Sequence, residues 1–223
     1  MSDRNDIVGA ARALLVGQSP LGREDTHLLD HALRMLRLAD VIVTFDDVRS
    51  MRIDRLCLDA AILFHEAAEV RLDRERRQSP IYAAATMSTD EIHGYSAELA
   101  GDALAELLTH KQIDRTQEII RQYQSRATTL SEAMIVSDAS NLDDLGAIGM
   151  WRETRRFAME GRSIADALAS WQRKLDYGYY AARIAETFRF EGSRQWARAR
   201  LTRLEAFMSE MIKENLAEDD RSQ

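Results

Sequence analysis

Proline occurs only twice in 223 residues, at Pro20 and Pro80, and glycine ten times. Proline stops helices and frequent glycine marks turns, so a chain this sparsely punctuated can run long helices and is poorly supplied for many short strands. Apolar residues recur at helical spacing along almost the whole chain. Leu28, Ala32, Met35, Leu36 and Ala39 mark one face of a helix over about 24–43. A second helix is expected over about 51–70, apolar on most sides from Cys57 to Phe64 and so placed inside a bundle. A loop or broken helix follows over 71–87, around Ser79-Pro80.

Three further helix starts carry a Ser/Thr-x-x-acid signature, which lets the first side chain and the acid three residues on satisfy each other's backbone N–H groups. They are Ser88 with Glu91, Thr129 with Glu132 and Ser163 with Asp166. They open helices expected to reach about His110, Leu145 and Phe188, with another over about 114–126 and a last one from Ser193 to about Leu216. No strand is expected, and Val41-Ile-Val-Thr reads as the end of a helix. The tail over 217–223 reads as flexible and solvated. With no repeat or linker in sight, the expectation is one all-α domain over 1–223, its core at about 24–212.

Net charge is −7, which argues against general nucleic-acid binding but leaves room for a small anion held by a local arginine cluster. The single cysteine, Cys57, leaves no disulfide framework and fits a reducing compartment. No secretory signal opens the chain and no apolar run approaches the ~20 residues of a membrane span, so the expected location is cytoplasmic.

Three groups of residues could carry chemistry. His27 and His31 stand one helical turn apart, with Arg34 on the same face. They suit a metal or ligand, or form an ordinary half-buried polar pair. His65-Glu66 ends the apolar helix, where burial is costly unless the two are paired or hold a metal. Alternatively the helix simply surfaces there. Asp138, Asp143 and Asp144 precede Gly146 and Gly149, which suggest close helix packing or a break.

Their order, a histidine on an early helix, a histidine-carboxylate pair and a later aspartate, resembles the HD-domain superfamily of metal-dependent phosphohydrolases. The likeness extends to the bacterial subgroup related to nucleotide pyrophosphohydrolases. It is carried by Thr26-His27-Leu-Leu-Asp-His31-Ala-Leu-Arg34 and, most specifically, by Asp138-Ala-Ser-Asn-Leu-Asp-Asp-Leu-Gly-Ala-Ile-Gly149. It covers roughly 24–212 and implies an HD-domain helical bundle. His31, His65, Glu66 and Asp138 then match metal ligands, and His27, Arg34 and Arg71 match catalytic positions. The implied cofactor is a divalent metal (Mn, Mg, Fe, Co, Ni or Zn). The implied partner is a small phosphorylated molecule such as a nucleotide, with neither nucleic acid nor membrane involved. Arg126 is a further candidate for meeting phosphoryl charge.

The chain departs from the pattern in three places. Glu66 stands where the signature has aspartate, and Ser140 replaces a second aspartate. A histidine of the preceding helix is missing, Gln124 to Arg126 standing there instead. These changes keep two other readings open: a catalytically silent binding or regulatory protein of the same fold, and an HD-type di-iron oxygenase. The second would need histidines that only His93 and His110 supply, His93 matching no motif position and His110 reading as a loop residue.

Overall fold

A computed structural model of the chain describes residues 3–19, 22–70, 72 and 87–218. The expected loop over 71–87 falls almost wholly outside these residues, Arg71 within it, as does most of the expected tail over 217–223. The helices are α1 (Arg4–Leu15), α2 (His27–Ile42), α3 (Arg55–Phe64), α4 (Thr89–Leu104) and α5 (His110–Gln122). They continue as α6 (Ser131–Asp143), α7 (Ala147–Met159), α8 (Ile164–Asp176), α9 (Tyr179–Thr187) and α10 (Glu191–Leu216). The fold is all-α as expected. The only strands among the described residues are β1 (Gly17–Gln18) and β2 (Glu24–Asp25), an antiparallel pair in which Gly17 faces Asp25. No helix among the described residues is long and apolar enough to cross a membrane.

The chain forms two compact units, one from Met1–Thr44 with Val48–Ala139, the other from Phe45–Asp47 with Ser140–Gln223. The boundary at Ala139/Ser140 lies inside α6. No linker composition therefore announces it.

In the first unit α3 packs against α1, α2, α4 and α5. Every residue from Cys57 to Phe64 is buried, which is what a helix apolar on all sides requires. The one charge between Cys57 and Phe64, Asp59, sits 3.0 Å from Arg4 Nε and 2.9 Å from Arg55 Nε. Asp40 on α2 joins the same pair, 3.1 Å from an Arg4 nitrogen and in contact with Arg55. Helix α1 has no counterpart among the expected segments. Asp3 caps it through a box with Asp6, and Ile7, Ala11 and Leu15 make its buried face.

In the second unit α10 packs against α7 and α9, and α8 against α9. Trp171 and Tyr180 stack with centroids 5.2 Å apart. The helix expected from Ser163 to Phe188 is two helices, because Gly178 takes the left-handed conformation at φ +62.

Other boundaries differ for local reasons. The boxes at Ser88 and Ser163 form as expected. The box at Thr129 does not: the Glu132 carboxylate accepts from the Asp54 backbone N–H and from Arg115, each at 2.8 Å, and the helix starts at Ser131. His110 is the first residue of α5 rather than a loop residue, because Thr109 caps that helix in a box with Gln112.

Candidate metal centre

The apolar run of α3 stops being a helix at Phe64; His65 and Glu66 form a turn before helical residues 67–70. Carbonyls in the last turn of a helix lack intrahelical partners. His65 Nδ1 donates to one of them, the Ile62 carbonyl, at 2.8 Å. That bond places the proton on Nδ1 and leaves Nε2 as the acceptor nitrogen. Nε2 in turn lies 3.3 Å from His31 Nε2, carried on α2, which packs against α3. Both rings are only 1% exposed.

Glu66 closes the group, its oxygens 3.5 Å from His31 Nε2 and 4.0 Å from His65 Nε2. The three donor atoms all fall within 4.8 Å of one another. Ligand atoms about 2.1 Å from one ion and spread at octahedral or tetrahedral angles lie about 3.0–3.4 Å apart. The two imidazoles meet that spacing and the carboxylate nearly does, so the residues fit a divalent cation. Two nitrogens and an oxygen are a borderline donor set, suited to zinc, iron, manganese, cobalt or nickel more than to calcium. Glu66 is 26% exposed against 1% for His31, so the group is buried on its imidazole side and reached by solvent at its carboxylate.

The structure thus brings together three of the four expected ligands. The fourth, Asp138, is fully buried on α6. His27 and Arg34 occupy the turns of α2 on either side of His31, both half-buried. Arg71 lies outside the described residues. Arg126 is exposed beyond the end of α5.

Tyr123 escaped the sequence reading, and His93 matched no motif position in it. Tyr123 is buried with its ring edge-on to His65, centroids 5.4 Å apart, and packs at 4.7 Å against His93. It braces the ring that Ile62 orients. Burial pulls the His93 pKa below the ordinary histidine value, with Asp90 opposing. The signal was available: His93 heads the buried stripe Ala97, Ala100, Leu104 of α4, and Tyr123 ends the stripe Ile113, Thr116, Ile120 of α5.

No protein-family model and no curated protein matches the chain. Solved structures do. An HD-superfamily hydrolase from Bacillus thuringiensis superposes with a TM-score of 0.63 at 19% identity, over 96% of this chain and 97% of that one. Bacillus subtilis YpgQ in complex with ADP gives a TM-score of 0.62 at 17% identity, over 95% and 94%. The Lin1889 protein from Listeria innocua gives 0.59 at 19% identity, over 95% and 97%. Identity this low speaks to architecture alone, and the architecture agrees across nearly the full length of each partner: the chain has the HD-domain fold.

Proposed function

We propose that the chain is a metal-dependent hydrolase of a phosphoester or nucleotide. One observation carries the reading: His31, His65 and Glu66 converge within 4.8 Å, with the His65 tautomer set by a backbone carbonyl. Two buried imidazole nitrogens 3.3 Å apart repel unless a proton or a cation lies between them. The fold is that of a solved HD-superfamily hydrolase, which supports the same chemistry.

In this reading His31, His65 and Glu66 hold the ion, and Asp138 is the proposed fourth ligand. A divalent cation bound there supplies Lewis acidity toward a phosphoryl oxygen and brings the pKa of water toward neutrality. The chain's own residues do the rest. Arg34 offers a planar fork of donors to phosphoryl oxygens, and Arg71 is proposed as a second. His27 carries a proton to the leaving oxygen or from water. The ADP in the YpgQ structure makes a nucleotide the first substrate class to try. The proposed location is cytoplasmic.

The test is elemental analysis after loading with manganese and dialysis, followed by hydrolysis of ADP and simple phosphate esters. About one ion per chain, lost in His31→Ala and His65→Ala, and metal-dependent phosphate release are expected. A chain that retains no ion under any loading condition would end the reading.

A further inference from the structure

Asp25 ends β2 and precedes α2 by two residues. Its side chain is 8% exposed, and Oδ1 lies 2.9 Å from His27 Nδ1. The same oxygen is 3.5 Å from the His27 backbone nitrogen. The intervening Thr26 makes no side-chain cap to α2; its hydroxyl donates to Asp30 Oδ2 at 2.8 Å. The pairing of Gly17 with Asp25 anchors the aspartate's backbone in the two-stranded sheet.

We propose that Asp25 is a positioning residue for His27, fixing its imidazole with the proton on Nδ1 and the lone pair on Nε2. The His27 role it serves rests on the phosphohydrolase reading. An ionised carboxylate only accepts, so the proton of the 2.9 Å contact belongs to Nδ1. The burial is graded as the division of labour requires: the orienting carboxylate is 8% exposed and the ring it orients 29%. His27 stands one turn before His31 on the same face of α2, which brings a ring of defined tautomer within about 6 Å of a metal-binding ring at the backbone level. A histidine that exchanges protons works only with the correct nitrogen unprotonated, and a fixed carboxylate is the common way to secure that. The hairpin thus acquires a task beyond connection.

A purely structural Asp25 would serve α2 through the backbone N–H alone. Asp25→Asn separates the two roles, since asparagine caps helix starts as well as aspartate does. Its amide can also donate, so it no longer enforces one tautomer. The experiment is isotope-labelled histidine NMR of the full chain at about pH 8, where imidazole is neutral. The His27 signals are assigned by their loss in His27→Gln. The wild-type protein is expected to show His27 protonated at Nδ1, Asp25→Asn to move a large share of it to the Nε2–H form, and Asp25→Glu to restore the first state. An Nε2–H ring in the wild type, or no change in Asp25→Asn, overturns the proposal. With manganese-loaded protein and ADP as probe, Asp25→Asn should lower kcat about tenfold or more at similar KM and unchanged metal content. Unchanged kcat in an active protein overturns it too. A protein that passes the NMR test yet hydrolyses neither ADP nor phosphate esters overturns the phosphohydrolase reading while tautomer control by Asp25 stands.

Discussion

His65 Nδ1 donates to the Ile62 carbonyl at 2.8 Å, and this bond turns His65 Nε2 toward His31 Nε2. The break in α3 after Phe64 makes it available, so the end of the most buried helix and the orientation of a candidate ligand are one feature. Glu66, the next residue, is the part of the group that reaches solvent. Glu66→Gln keeps its shape and removes its charge. Manganese affinity, read by competition with a chelating dye, is expected to fall about 10–100-fold while the melting temperature of the metal-free protein stays the same. Unaltered affinity would exclude Glu66 from the ligand set.

Two glycines inside helices should respond in opposite ways to the same change. Gly149 lies on α7, and a Cβ there would meet the Asp144 carbonyl oxygen at 2.0 Å. Gly149→Ala is expected to cost about 3 kcal/mol in urea unfolding. Gly94 on α4 has open space around it. Gly94→Ala should stabilise by about 0.5–1 kcal/mol, the helix propensity difference.

Glu132 is 2% exposed and holds both the Asp54 N–H that starts α3 and the Arg115 guanidinium of α5. Glu132→Ala takes the acceptor from the Asp54 N–H and leaves Arg115 with Glu118 alone. A loss of about 1–2 kcal/mol is expected, larger than any loss from Thr129→Ala, which removes no cap.

The Cys57 thiol is buried against α5, and burial, with Asp54 adding to it, pushes its pKa up to about 12. Only the thiolate reacts readily. An aromatic disulfide reagent at about pH 8 should leave the folded protein unlabelled for hours and modify one thiol at once in denaturant. Fast labelling of the folded chain would show that the core around α3 opens.

His93 sets a pH dependence of known sign. Its folded pKa lies below the ordinary value of about 6.5, chiefly through burial. Between those two values the unfolded chain holds a proton that the folded chain refuses, so stability falls as pH drops below about 6.5. His93→Phe should flatten this part of the curve, measured as urea midpoints from about pH 7.5 to 5. Parallel curves for the two proteins would assign the acid sensitivity to other groups.

Much of this was legible in the sequence because helical periodicity and capping boxes are local. Ser88 with Glu91, Ser163 with Asp166 and the apolar run from Cys57 to Phe64 can be read without knowing the fold. The Thr129 box failed because a distant donor, the Asp54 N–H, competes for Glu132. The break at His65 was hidden because nothing in Phe-His-Glu-Ala forbids a helix. His31, His65 and Glu66 were found through motif order rather than local chemistry, since α2 and α3 meet only in three dimensions. Tyr123 was missed for the same reason: its stripe announces a core face but not that the face touches an imidazole. Helix α1 was overlooked although its signals are local: the Asp3 box with Asp6 and the stripe Ile7, Ala11, Leu15 at every fourth residue.

The ion network that locks α1 has a consequence for synthesis. Arg4 bonds to Asp40, 36 residues later, and to Asp59, 55 residues later. At about 5–20 residues per second, Arg4 is synthesised roughly 3–11 s before Asp59. During that interval the Ile7, Ala11 and Leu15 face has no α3 to cover it. Docking of α1 therefore waits for the central helix, and the nascent chain must carry its apolar stripe without that cover until α3 arrives.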